Sequence, residues 1–122
     1  MKKRILYVED DAINAFVAIK FLSADFDIVH VSEGEECLER ILIESFALVL
    51  MDINLGRGKM DGIETMKRIK SLPAYTATPV FAVTSYALPE DRERFLQEGF
   101  DDYLAKPIER NTMIARIRQF LG

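Results

Sequence analysis

The chain has 122 residues, 49% of them hydrophobic and 30% charged, with a formal net charge of −4. That length fits one domain, which buries roughly two-thirds of the surface its unfolded chain exposes. The acidic balance speaks against a nucleic-acid platform, which carries a basic patch, and a single cysteine, Cys37, excludes an internal disulfide and fits a reducing compartment.

Lys2-Lys3-Arg4 leads into Ile5-Leu6-Tyr7-Val8, a first strand that ends in Glu9-Asp10-Asp11. Its apolar run is too short for a signal-peptide core or a membrane span, so the chain is expected to be cytoplasmic, with no membrane contact. Ala12 to Ser23 predicts a helix with Ile13, Phe16, Val17 and Phe21 on its buried side. Asp27 to Val31 is a short β-branched strand. Ser32-Glu33-Gly34-Glu35 has the Ser-x-x-Glu spacing of a capping box, opening a helix buried through Cys37, Leu38, Ile41 and Leu42.

Ala47-Leu48-Val49-Leu50-Met51 is an unbroken apolar run closed by Asp52, the pattern of a strand buried on both faces of a parallel sheet. A polar loop, Leu55 to Lys59, leads to an Asp61-x-x-Glu64 helix start with Ile63, Met66 and Ile69 inward. Pro73 and Pro79 bracket a loop before the strand Val80 to Thr84. Pro89-Glu90-Asp91 reads as a helix first turn, with Phe95 and Leu96 its main candidates for burial and Gly99 a left-handed cap. Tyr103-Leu104-Ala105 is a fifth strand, and Met113, Ile114, Ile117 and Phe120 line a last helix. Strand and helix alternate five times with short connections, which specifies an α/β fold with a doubly wound parallel sheet as a single domain, residues 1–122.

Polar residues fall at one edge of that sheet. Glu9 and Asp10 end the first strand, Asp52 the third and Thr84 the fourth, and Lys106 follows the fifth. Open α/β sheets bind their ligands at this carboxyl edge. Three carboxylates gathered there repel one another unless a cation joins them, and hard oxygen donors without histidine or cysteine favour Mg²⁺. Mg²⁺, an ammonium and a hydroxyl around one carboxylate make a site for a phosphoryl group. Taken singly, a strand-end aspartate is a solvated cap, a strand-end threonine a β-former, and a lysine before proline an exposed charge; their coincidence at four strand ends carries the argument.

The sequence resembles the receiver domains of two-component response regulators, the family of the chemotaxis protein CheY. The matching segments are Ile5 to Asp11, Leu48 to Asp52, Met60 to Glu64, Val83 to Ala87 and Gly99 to Pro107, in order and across essentially the whole chain. The resemblance implies a flavodoxin-like strand order 2-1-3-4-5. It implies that Asp52 is the phosphoacceptor, attacking the phosphohistidine of a partner histidine kinase or phosphotransfer protein. Asp10 and Asp52 would ligate Mg²⁺, with Glu9 holding it directly or through water and Asn54 offering its backbone carbonyl. Thr84 and Lys106 would hold phosphoryl oxygens, Tyr103 would be the switch aromatic, and the Lys106-Pro107 bond would be cis. The protein would then be a signalling switch that catalyses only its own phosphorylation and dephosphorylation. A downstream protein or domain would read the surface of the fourth helix, fifth strand and fifth helix. No direct nucleic-acid contact is expected, and a homodimer stays open.

One departure stands out: Asp61 follows Asp52 by nine positions, more than is usual in the family, with Gly56-Arg57-Gly58 between them. A phosphatase of the haloacid-dehalogenase type carries an Asp-x-Asp nucleophile motif after its first strand, which Glu9-Asp10-Asp11 is not. A flavodoxin places a glycine- and hydroxyl-rich phosphate loop at that point, which these acids would repel. The phosphate loop of an NTPase is missing as well. A degenerate receiver serving only as a protein-binding module remains the alternative, although the acceptor, the acid pair and the lysine are all present. His30 and Cys37 read as structural, and Arg110, Arg116 and Arg118 as a solvated face.

Overall fold

The computed structural model describes residues 2–53, 60–85 and 89–121, with Pro89 described through its backbone alone. Its elements run in the order β1 (Arg4–Val8), α1 (Ala12–Leu22), β2 (Asp27–Val31), α2 (Gly34–Ile43), β3 (Leu48–Asp52), α3 (Gly62–Lys70), a 3₁₀ turn at Pro73–Tyr75, β4 (Val80–Thr84), α4 (Pro89–Glu98), β5 (Asp102–Ala105) and α5 (Arg110–Leu121). All strand pairs are parallel, as the alternation of elements predicts, and their order is β2-β1-β3-β4-β5, as the resemblance implies. Among the described residues no helix is long and apolar enough to cross a membrane.

β3 and β4 have neighbours on both sides, and every residue of both is buried. Alternation along each strand sends successive side chains to opposite layers. Leu6, Val8, Val49, Met51, Val80 and Ala82 meet Cys37 and Ile41 of α2, Met66 and Ile69 of α3, and Phe95 of α4. Ile5, Tyr7, Leu48, Leu50, Phe81 and Val83 meet Ala15, Ala18 and Leu22 of α1 and Met113, Ile114 and Ile117 of α5. Cys37 is fully buried, and burial pushes its thiol up to about 12, which suits the structural role read for it.

Several local expectations change. α1 buries Ala15, Ala18 and Leu22, whereas Ile13, Phe16 and Val17 are exposed, Ile13 by 75%. The helix is apolar around most of its circumference, so periodicity alone does not select a face; alanines let it approach the sheet closely. Leu42 lies 72% exposed beyond the buried Cys37 and Ile41, and Leu96 is exposed while Phe95 carries the burial of α4. The cap of α2 falls on Glu33, and Ser32 donates through N and Oγ to Glu36, at 2.9 and 3.2 Å, instead of forming the Ser32–Glu35 box. Arg110 and Arg118 of α5 are exposed, as read for a solvated face, and pair with Asp25, whereas Arg116 reaches the buried Asp102.

Two glycines are required by geometry. Gly99 has φ +126°, past the end of α4, where a side chain is strained. Gly62 opens α3 against the end of β3, with its N–H donating to the Ile53 carbonyl at 3.4 Å. A Cβ there would run into the Asp52 carbonyl oxygen and lie 3.0 Å from Ile53 Cα, with only backbone to yield. Gly62→Ala is therefore expected to lower stability by about 1–3 kcal/mol, as overpacking does. Urea denaturation checks this, and a midpoint equal to wild type would refute it.

Candidate functional site

The carboxyl ends of β1, β3, β4 and β5 bring five of the expected residues together. Glu9 follows β1 directly, and its backbone is fixed by its own N–H to Val31 O at 3.0 Å and by His30 Nε2 against its carbonyl at 2.8 Å. Asp52 closes β3 opposite Val83, and Thr84 closes β4 opposite Ala105. The Lys106 N–H donates to the Thr84 carbonyl at 2.7 Å, which carries the ladder one residue past β5 and fixes where the lysine starts. Glu9, Asp52 and Thr84 are buried, while Asp10 is exposed at the mouth. The Lys106-Pro107 peptide is cis, as the resemblance implies.

The three acids at the first turn divide their work. Asp11 caps α1, accepting from the N–H groups of Ile13 and Asn14, both at 2.9 Å. Glu9 points inward, where Lys106 Nζ lies 2.7 Å from its Oε1 and 3.4 Å from Asp52 Oδ1. Glu9 Oε1 also accepts from the Tyr7 hydroxyl at 3.1 Å, and Oε2 from the Asp11 N–H at 3.2 Å. Asp10 remains to face the opening.

Electrostatics follow from these distances. Burial alone would raise the Glu9 carboxyl; the hydrogen bond and ammonium charge of Lys106 and the Asp11 N–H outweigh it and hold Glu9 below the usual carboxylate range. Burial alone would lower Lys106, and its hydrogen bond to Glu9 and the charge of Asp52 hold it above the ordinary lysine value. Burial, and then the neighbouring Glu9 charge, push the Tyr7 phenol upward, so it serves as a neutral donor.

Glu9, Asp10 and Asp52 each offer one oxygen, and these atoms all lie within 4.8 Å of one another. Three hard anionic donors around one small space, two of them on buried residues, suit a divalent cation such as Mg²⁺ better than zinc or copper. Among the described residues, one ammonium beside three carboxylates leaves negative charge for a cation to offset. The residues present therefore fit the metal. Asn54, expected to give its carbonyl, lies outside the described residues, as do Gly56-Arg57-Gly58 and Tyr86.

Tyr103 projects to the layer formed by α2, α3 and α4. It is 8% exposed and stacks on Phe95 with ring centroids 5.6 Å apart and planes at 17°. Among the described residues its buried hydroxyl has no hydrogen-bond partner. Next to it, buried Asp102 accepts from the Tyr103 N–H, from Arg116 at 2.7 and 2.9 Å and from Arg92 of α4 at 3.3 Å. This acid joins α4, β5 and α5, and it had no part in the reading of the sequence. Tyr7 and the backbone contact of His30 were also missed. A tyrosine two residues before Glu9 on one strand faces the same way as Glu9, which is a usable signal.

Comparison with known proteins agrees with this arrangement. A family model described as the response regulator receiver domain matches residues 5–118. The transcription factor SKN7 of Chaetomium thermophilum is 37% identical over 124 residues, covering 99% of this chain and 16% of that protein. The polar-differentiation response regulator DivK of Brucella ovis is 32% identical over 123 residues, covering 100% of this chain and 98% of DivK. The chain thus spans a small part of the larger relative and nearly all of the smaller one. The receiver domain of a sensor histidine kinase from Pseudomonas aeruginosa PAO1, solved with a magnesium ion in its active-site cleft, superposes with a TM-score of 0.89. It is 29% identical and covers 100% of this chain and 99% of that one.

Proposed function

The chain belongs to the response regulator receiver domain family of two-component signal transduction, and we propose that it is a phosphoacceptor switch with Asp52 as the acceptor. The observation that carries the reading is the place of Asp52: buried at the end of a central strand, 3.4 Å from Lys106 and within a three-carboxylate cluster. An Asp52 oxygen attacks phosphorus, the bond from phosphorus to a histidine nitrogen breaks, and its electron pair stays with the imidazole of a partner histidine kinase or phosphotransfer protein. Such a transfer needs positioning and charge neutralisation more than covalent help.

Glu9, Asp10 and Asp52, with the Asn54 carbonyl, would hold Mg²⁺. When bound, it supplies Lewis-acid neutralisation of the charge gathered on phosphoryl and carboxylate oxygens. Lys106 turns from Glu9 toward a phosphoryl oxygen, and the Thr84 hydroxyl donates to another. The acyl phosphate adds roughly one negative charge at pH 7. Tyr103 and α4 then re-pack, and the surface of α4, β5 and α5 is read by a downstream protein or domain. Residues 1–122 form the receiver unit of this proposal.

Incubation with acetyl phosphate and Mg²⁺, followed by intact-mass measurement and peptide mapping, tests the reading. One phosphoryl group on Asp52 is expected; a protein that takes up none would instead be a binding module. Asp10→Asn removes one anionic donor and is expected to slow uptake and weaken Mg²⁺ binding. In the wild type, saturating Mg²⁺ should raise the melting temperature by mass action, by about 2.7 kcal/mol of stability at a hundred times the dissociation constant. A melting temperature that stays level with Mg²⁺ would refute the metal site.

A further inference from the structure

We propose that Tyr7 is a positioning residue for the metal site, its hydroxyl holding the Glu9 carboxylate in a ligating orientation while Lys106 is released to the phosphoryl group. The inference rests on the phosphoacceptor reading and goes beyond it, to how one carboxylate keeps its place when its cation partner leaves.

The geometry is specific. Glu9 Oε1 is held twice, by Lys106 Nζ at 2.7 Å and by the Tyr7 hydroxyl at 3.1 Å, whereas Oε2 takes the Asp11 N–H at 3.2 Å. A phosphoryl group on Asp52 competes with Glu9 for the Lys106 ammonium, which already lies 3.4 Å from Asp52 Oδ1. Once it turns, Tyr7 remains on Oε1, and the carboxylate is still pinned through both oxygens. A buried carboxylate left with one partner would swing toward solvent or toward a new cation, and the metal donors would lose their spacing.

Tyr7 is suited to this. It is fully buried and lies in β1 between two neighbours, opposite His30 of β2 and Leu50 of β3, so its ring has no freedom to drift. Its phenolic O–H is a single donor, directed at Glu9 Oε1. His30, whose ring centroid is 6.0 Å from that of Tyr7, fixes the Glu9 carbonyl from the neighbouring strand β2. Outer partners of this kind orient metal-ligating carboxylates, and their loss typically costs about 10–100-fold in metal affinity.

The test is a double-mutant cycle read by Mg²⁺ titration calorimetry, with Mn²⁺ paramagnetic resonance as a second measure of site occupancy. Tyr7→Phe keeps the buried ring and removes one hydroxyl. It is expected to weaken Mg²⁺ binding about tenfold, with the variant still fully folded in chelator at the titration temperature. Glu9→Gln removes the carboxylate being positioned, so adding Tyr7→Phe to it should cost nothing further. Wild-type affinity in Tyr7→Phe would overturn the proposal. So would an equal loss in the Glu9→Gln background, or unfolding in chelator at the titration temperature that accounts for the loss. Absence of Mg²⁺ binding in the wild type would overturn the metal reading beneath it, whereas phosphoryl uptake with unaltered Tyr7→Phe affinity would overturn this inference alone.

Discussion

Asp52→Asn is expected to take up no phosphoryl group from acetyl phosphate and Mg²⁺ under conditions in which the wild type does, and to remain folded. The amide has the shape of the carboxylate but neither the charge nor the lone-pair basicity to attack phosphorus. Uptake at other carboxylates is not expected. Glu9 is fully buried and engaged by Tyr7, Lys106 and the Asp11 N–H, and the side chain of Asp11 is spent on the cap of α1. Asp10 is exposed, yet it lacks the lysine that lies beside Asp52. The fold survives because the substitution removes one of three clustered like charges while Lys106 keeps its shorter contact with Glu9 at 2.7 Å. Intact-mass measurement with a melting curve decides the matter: full-rate uptake in the variant would remove Asp52 from its proposed role, and an unfolded variant would show that the carboxylate holds the fold.

The central strands were legible because every position of β3 and β4 is buried. A strand covered on both faces has only one sequence pattern available, an apolar run, and its end is marked by the first group that needs water or a partner. α1 was legible as a helix and not as to its face. Ile13, Phe16 and Val17 are larger than Ala15 and Ala18, and a hydrophobicity pattern favours the larger residues. Packing favours the smaller ones, because close approach of a helix to a sheet gains contact along its whole length. The α2 cap shows the same limit. Ser32 and Glu35 have capping-box spacing, but Glu36, one position on, lies where the Ser32 N–H and hydroxyl can reach it.

At the site, the residues legible in the sequence were those at strand ends, since topology alone carries Glu9, Asp52, Thr84 and Lys106 to one edge. What the chain order does not carry is which acid meets which base. Lys106 lies closer to Glu9 than to Asp52, and buried Asp102, with Arg92 and Arg116 closing over it from the surface, joins residues from three elements. Arg116 looked like part of a solvated face because a partner from a neighbouring element leaves no periodic trace in its own helix.

Thr84→Ala is expected to uncouple phosphorylation from the surface of α4, β5 and α5 without abolishing uptake at Asp52. Thr84 is fully buried, and its residue position is tied to Lys106 by the 2.7 Å bond from the Lys106 N–H to its carbonyl. A phosphoryl group on Asp52 therefore pulls on the ends of β4 and β5 together. What yields is α4, which is anchored to the core by Phe95, with Leu96 exposed. Phe95 stacks on Tyr103 and meets Phe100 edge-on at 6.0 Å, so a shift of Tyr103 is felt by the whole aromatic group. Among the described residues the buried Tyr103 hydroxyl has no hydrogen-bond partner, and another packing that supplied one would gain about 1–3 kcal/mol. A ligand shifts two states only through its differential affinity for them. One charge-assisted hydrogen bond from Thr84 contributes about 1.5–3 kcal/mol, a population change of roughly tenfold to a hundredfold. Amide NMR shifts with and without beryllofluoride, a phosphoryl mimic, measure it. In the wild type and in Thr84→Ser, which retains the hydroxyl, shifts should extend through residues 90–98 and around Tyr103. In Thr84→Ala they should shrink to the neighbourhood of Asp52. Shifts of equal extent in all three proteins, or shifts confined to α1 and α2, would place the output on another face of the sheet.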